Sequence, residues 1–300
     1  MKKFLKKISI FLVVNLILFE LTVRLFDLTN DVPQRNLLEK RYQVYKKNQK
    51  GIYKNAKWEV NDFGFLGLTD VNNGENQVLL IGDSFLENMM NNIDCNVGSQ
   101  IKLFDKNLKI FEMARSGMTL IEYFEFYKKF NKTINPTKTI FLVNSNDIYE
   151  SISNINRFPD RIQVDLIENK INNVDLKYPT LKKILYNIKG LYYLYSNKFF
   201  SLNFTKLNSS KKIINNKDPN KELIRKLFVY IRDNYSTENI SFLCYNMKDS
   251  EVNSFRMLSK NIYHIREFDK KEIRKDDRHW NCFGSQKVAE LIYNQFIIPQ

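Results

Sequence analysis

The run Gln77-Val78-Leu79-Leu80-Ile81-Gly82, followed at once by Asp83-Ser84-Phe85, decides how the chain is read. A short apolar run without polar alternation has the pattern of a strand buried on both faces, as in a parallel sheet. The pattern returns at Leu108–Met113, at Thr139–Asn144 and at Ile240–Tyr245, and more weakly near Asn261–Ile265. Helical patterns lie between these runs at Leu120–Phe130, Lys221–Asn234 and Glu251–Ser259, and Gly284–Phe296 closes the chain. Strands alternating with helices predict an α/β fold, with helices on both faces of a mainly parallel sheet. Ligands of such sheets sit at the carboxyl ends of the strands. The unusual polar residues of this chain fall just there.

Outward from that core, the amino-terminal stretch differs in kind. Lys2, Lys3, Lys6 and Lys7 precede a largely apolar segment from Ile8 to Phe26. As a helix it would span roughly 28 Å, close to the hydrocarbon thickness of a bilayer. Glu20 and Arg24 interrupt it four residues apart, so they can pair on one face. No small-residue cleavage site follows, and the expectation is an uncleaved signal anchor over residues 1–28. The lysines place its start in the cytoplasm and the remaining chain on the extracytoplasmic side. A buried first helix of a soluble protein is the alternative.

Residues 29–75 read as a polar, weakly ordered juxtamembrane segment with a turn at Asn73-Gly74-Glu75-Asn76. The main α/β domain then covers 76–300. Residues 150–219, rich in Asn, Lys, Tyr and Phe, read as an insertion after the third strand. Within it Leu181–Phe200 is a helix with an aromatic face of Tyr186, Tyr192, Tyr193 and Tyr195. Extra packed helix is its simpler reading, and a lid the alternative.

The formal charge is +14, which invites a nucleic-acid reading. Lysines are spread along the whole chain, however, and no recognition helix, zinc-finger spacing or RNA-binding aromatic motif is present. Anionic lipid headgroups or an acidic glycan suit the charge better than nucleic acid. Three cysteines, Cys95, Cys244 and Cys282, form no disulfide framework by count, and Cys244 reads as a buried small hydrophobe. No Cys/His cluster has metal-ligand spacing, so neither metal nor organic cofactor is expected.

Four polar blocks follow the strands. Ser84 begins a helix, where free N–H groups and the helix dipole favour developing negative charge, as an acyl-transfer nucleophile requires. A capping serine has the same position. Ala114-Arg115-Ser116-Gly117 offers a backbone N–H at Gly117, or merely a turn glycine. Asn144-Ser145-Asn146-Asp147 offers an uncharged amide donor, or an Asx turn. Asp276-Asp277-Arg278-His279-Trp280-Asn281 places a histidine beside two carboxylates, as a general base needs, or forms a charged surface loop. His264, in Tyr263-His264-Ile265, reads as a strand histidine without a partner.

Taken in order, GDS, the glycine after the next strand, the Asn-Asp pair after the third and the Asp-His block before the last helix resemble the SGNH (GDSL-like) hydrolase superfamily. The resemblance covers roughly residues 77–300 and implies a three-layer α/β/α, flavodoxin-like fold. It implies Ser84 as nucleophile, His279 as base, and an oxyanion hole of the Ser84 and Gly117 backbone N–H groups and the Asn146 side chain. Asp277 is preferred as the acid on the spacing Asp-x-His-Trp-Asn, which resembles membrane-associated members involved in polysaccharide O-acetylation. The Asp-x-x-His spacing would give Asp276. Asn144 stands where the family's third block has Gly, a departure that would alter the pocket. Asn61-Asp62-Phe63-Gly64-Phe65-Leu66-Gly67 resembles a segment of tethered members, with Leu66 where Arg is usual.

The function expected is a tethered serine esterase for acyl, above all acetyl, esters. Its alternatives are an O-acetyltransferase acting on a surface glycan and an inactive tethered module binding a glycan or protein.

Overall fold

In a computed structural model, which describes residues 1–70, 76–199 and 219–298, α1 (Lys2–Leu25) leads into two small hairpins. These are β1 (Arg35–Leu38) with β2 (Tyr42–Tyr45), and β3 (Lys50–Tyr53) with β4 (Ala56–Glu59). Next come β5 (Gln77–Gly82), α2 (Ser84–Glu87), α3 (Val97–Phe104), β6 (Lys109–Ala114), α4 (Leu120–Ile134), β7 (Lys138–Val143) and α5 (Ser145–Glu150). The hairpin of β8 (Val164–Asp165) and β9 (Lys170–Ile171) and the helices α6 (Pro179–Asn187) and α7 (Lys189–Ser196) lie in the long connection that follows. The described chain closes with α8 (Pro219–Asn234), β10 (Ile240–Tyr245), α9 (Asp249–Phe255), β11 (Ile262–Ile265) and α10 (Cys282–Ile292), which runs on into a π-helical turn over Tyr293–Ile297.

Five strands form one parallel sheet in the order β11-β10-β7-β5-β6. The apolar runs are continuous because both faces are covered. Val78, Leu80, Ile110, Ile140, Leu142 and Leu243 pack beneath α3 and α10, with Val97, Ile101 and Val288 opposite. Their neighbours Leu79, Ile81, Phe111, Phe141 and Phe242 face the other way, against Phe124 of α4, Phe228 of α8 and Phe255 of α9. Each such side chain contributes roughly 1.5–3 kcal/mol on burial. The fold is therefore the three-layer α/β/α arrangement expected. After β6 the chain crosses back over β5 to make β7, and this reversal sets the carboxyl ends of β5 and β7 side by side.

Three expectations need correction. The segment read as weakly ordered forms the two hairpins, and its Val44, Tyr45, Trp58, Phe65 and Leu66 are buried. Its turn residues 73–75 lie outside the described residues. Cys95 and Cys282 are joined in a disulfide with Cα atoms 4.8 Å apart and 187 positions of sequence between them. Only the packing of α10 on α3 brings them together, which no spacing rule could reveal; Cys244 is buried and free, as expected. Leu181–Phe200 is two helices rather than one, parted at Ile188, whose backbone is extended. The break lets the N–H groups of Lys189 and Gly190 reach the carboxylate of Glu20 on α1. Phe200 lies outside the described residues.

Glu20 also pairs with Arg24 at 2.6 Å, as their spacing predicts. Of α1 only Val23 is buried, and the helix is long and apolar enough to cross a membrane, with mean hydropathy 2.1 over its most apolar 18 residues.

Candidate active site

Ser84 is the first residue of α2, whose N-cap is Asp83: Asp83 Oδ1 accepts the N–H of Phe85 at 3.0 Å. Gly82 does not adopt a left-handed conformation. Its role is space, since a Cβ there would lie 2.8 Å from Cβ of Leu86 as the short helix folds back over the strand. Asp83 is buried and accepts further hydrogen bonds from the hydroxyl of Tyr245 at 3.0 Å and from Asn144 Nδ2 at 2.9 Å. Burial pushes its carboxyl above the usual range, against the pull of these donors.

Asn144 therefore lies beneath the site rather than in it. Its Nδ2 bridges to Asp83 and Tyr245, and its Oδ1 accepts the N–H of Asn146 at the start of α5. The Asn in place of Gly is a brace between the turns after β5 and β7. Asp147, also buried, closes the same cap by accepting the N–H of Asn144 at 2.8 Å.

His279 reaches Ser84 from the other end of the chain. Its Nε2 lies 2.9 Å from Ser84 Oγ, across 195 positions of sequence. The ring is tilted over Phe85, centroids 4.5 Å apart, and Phe85 in turn meets Tyr245 and Trp280 edge-on. The loop before it is a tight turn. Arg274 N–H donates to the carbonyl of His279 at 2.8 Å, Arg278 takes a left-handed backbone, and Asn281 caps α10 through Phe283 and Gly284 N–H.

The two carboxylates of this loop part company. Asp277 Oδ1 accepts the backbone N–H of His279 at 3.1 Å and sits 3.4 Å from Nδ1 of the ring. That is ion-pair distance, but Nδ1 makes no well-aligned hydrogen bond. Asp276 points outward, held in a fork by Arg274 Nε and Nη2, both at 3.1 Å. Lys54 Nζ spans the pair, donating to each at 2.7 Å. Burial alone would raise Asp277, but Lys54, the His279 N–H and the imidazole outweigh it and hold the carboxyl below the usual range. Arg274 and then Lys54 depress Asp276 further still.

Strand register sets Gly82 beside Ala114 and Ile81 beside Phe141, so the turns bearing Ser84, Gly117 and Asn146 leave the sheet at one edge. Gly117 has φ +74°, a conformation that favours glycine, and a Cβ there would stand 2.9 Å from the guanidinium of Arg161, which would have to shift. Asn146 is exposed, with no side-chain hydrogen bond to the described residues. The structure thus brings Ser84, His279 and Asp277 together and turns Asp276 away.

Sequence reasoning missed Tyr245, Phe85, Lys54 and Arg274 as supports of the site, and gave His264 no partner although its Nδ1 lies 3.3 Å from Asp249. Phe85 alone carried a signal, as the residue that follows the serine.

No protein-family model matches the sequence, and no curated relative matches it. Among solved structures, a family 3 carbohydrate esterase of Clostridium thermocellum is 14% identical, with TM-score 0.35, over 73% of this chain and 94% of that one. A protein described as lipolytic and of the G-D-S-L family, from Desulfitobacterium hafniense DCB-2, is 10% identical, also with TM-score 0.35, over 73% of this chain and 99% of the other.

Proposed function

We propose that this chain is a membrane-tethered serine esterase of the SGNH type acting on acyl esters, with acetyl esters of a glycan as the favoured substrate. One observation carries the reading: a serine hydroxyl at a helix start lies 2.9 Å from an imidazole nitrogen that arrives from the far end of the chain. A capping serine needs no such partner.

Ser84 Oγ attacks the ester carbonyl carbon while its proton passes to His279 Nε2. The tetrahedral oxyanion is held by the N–H groups of Ser84 and Gly117 and the Asn146 amide, and Asp277 steadies the imidazolium. Collapse breaks the ester C–O bond, and the leaving alcohol takes the proton from Nε2. Water then attacks the acyl-serine, gives its proton to Nε2, and releases the acid as Ser84 regains its hydrogen. A sugar hydroxyl replacing that water makes the same acyl-enzyme an O-acetyltransferase.

Support for the tether is the exposure of α1 together with its length and hydropathy. An extracytoplasmic domain agrees with the lysines before α1 and with the Cys95–Cys282 disulfide, since such bonds persist in oxidising compartments.

The full chain in detergent is expected to react with a fluorophosphonate probe, and Ser84→Ala to abolish labelling. An unlabelled wild type, or a labelled Ser84→Ala, overturns the reading. Acetyl release in water, compared with transfer to added oligosaccharide, separates esterase from transferase.

A further inference from the structure

The helices α6 and α7 sit against the last turns of α1. Glu20 accepts the N–H groups of Lys189 at 3.0 Å and Gly190 at 2.6 Å, Arg24 donates to the carbonyl of Asn187 at 2.7 Å, and Tyr193 meets Phe19 edge-on. If α1 spans the bilayer, as proposed above, this contact puts α6 and α7 at the membrane interface.

The two faces of α6 differ. Leu181 and Ile184, one turn apart, and Ile188 just past the end of the helix are 42%, 47% and 45% exposed. This apolar stripe ends beside Asn187, Lys189 and Gly190, which hold the last turns of α1. Lys182 and Tyr186, on the opposite side, line a cavity of about 550 Å3 against residues 32–36, the segment just beyond α1. The cavity gathers Arg35, Lys46, Lys177, Lys182 and Lys183 around a single carboxylate, Asp160. Arg35 is 3.5 Å from Asp160, whereas none of the four lysines makes a side-chain hydrogen bond or ion pair with the described residues. Burial lowers the affinity of Lys182 for its proton; Asp160 opposes this in part, and Arg35 and Lys177 add to it. Crowded, unpaired cations of this kind are relieved by a bound anion.

We propose that this cavity holds the phosphate of an anionic phospholipid headgroup, with the acyl chains lying along Leu181, Ile184 and Ile188 beside α1. A soluble polyanion would satisfy the cations and leave the stripe bare; a phospholipid satisfies both. Arg35 also donates to the carbonyl of Ser116 at 3.2 Å, next to Gly117, so the bound headgroup sets the height of the ester site above the bilayer.

The test uses the full chain in nanodiscs of phosphatidylglycerol and phosphatidylcholine. A fluorophore is placed, one site at a time, through Leu12→Cys, Ile184→Cys and Leu103→Cys, the last at the end of α3 near the opposite edge of the sheet. Brominated acyl chains should quench the first two and spare the third. Quenching at Leu12 without quenching at Ile184 overturns the docking and leaves the anchor standing; no quenching at Leu12 overturns the anchor and the docking with it. In detergent, the wild type should retain phosphatidylglycerol through lipid-free washes, and Lys182→Gln with Lys183→Gln should retain roughly fivefold less. Equal retention overturns the headgroup site. Displacement of the lipid by glycerol phosphate or a soluble polyuronate at equal concentration also overturns it, in favour of a free anion.

Discussion

Ser84 is held from beneath by buried groups: Asp83, Asn144 and Tyr245, each hydrogen-bonded to the others between the ends of three strands. His279 is held from the side, by a half-exposed turn whose charges pair with Lys54 and Arg274 and whose far end is crosslinked through Cys282 to Cys95. One half of the dyad is a product of the sheet. The other is a loop fastened to it by ion pairs and a covalent bond. Surface ion pairs contribute little individually, with a median of about 0–1 kcal/mol, so the crosslink and the cap at Asn281 have more to do on the histidine side.

The sharpest way to break the comparison is within the loop. Asp277→Asn removes the charge facing the imidazole, and hydrolysis should fall about 10^3- to 10^4-fold in kcat with substrate affinity kept. Asp276→Asn, which loses only contacts with Arg274 and Lys54, should cost no more than about threefold. Equal losses in steady-state assays would mean that the loop acts as a charged unit and that neither carboxylate orients the ring.

Of both halves the reactive residues were legible in the sequence and the supports were not. The run Gln77–Gly82 is a strand over the same residues as read, and Ser84 and His279 were both singled out, because apolar runs and short motifs are local signals. What braces them is not local. Asn144 and Tyr245 lie 61 and 162 positions from Asp83, and Cys282 lies 187 from Cys95. Such partners become neighbours only once the strand order is known. The hairpins between residues 35 and 59 were missed for a different reason. Their strands are four residues long, and runs such as Tyr42-Gln43-Val44-Tyr45 bury a glutamine among apolar neighbours, so no clean alternation marks them.

Removing the crosslink tests the histidine half alone. Cys95→Ser should lower stability by roughly 3–5 kcal/mol, since a long closed loop restricts the unfolded chain strongly. The readout is the thermal midpoint of the full chain in detergent, with dithiothreitol reproducing the shift in the wild type and having no effect on the variant. An unchanged midpoint would mean that the contact between α10 and α3 holds the loop unaided.

On the serine half, Asn144→Ala strips a donor from buried Asp83 and the cap acceptor from Asn146, and should cost about 2–3 kcal/mol. Fluorophosphonate labelling should slow alongside, whereas Asn144→Gly, the residue the resemblance expects there, tests whether backbone alone suffices. A stable, fully reactive Asn144→Ala would show that the strands, not the amide bridge, fix the turn.

The smallest effect separates the halves by pH. Glu87, one turn beyond Ser84, is buried and accepts from Tyr45 at 2.5 Å and from Ser116; burial raises its carboxyl, and the donors and Arg35 only partly oppose this. A raised folded value means that its contribution to stability is complete below the ordinary glutamate value of 4.5 and is lost as pH climbs through the raised one. Asp277 runs the other way: its value is lowered, so its contribution is present above 3.8 and lost only as pH falls through its folded value. Above pH 4.5, therefore, the serine half supplies a falling carboxylate slope and the histidine half supplies none, with Asp83 and Asp147 acting in the same direction as Glu87; Glu112 on β6, pushed up to about 7 by burial, adds to that slope from outside both halves, in the wild type and the variants alike. Thermal midpoints taken from about pH 4.5 to about 7.5 should decline by about 3 °C more in the wild type than in Glu87→Gln, while Asp277→Asn keeps the wild-type slope. If Glu87→Gln also keeps it, the carboxyl stays in one protonation state throughout, and the contrast between the halves is one of packing rather than of charge.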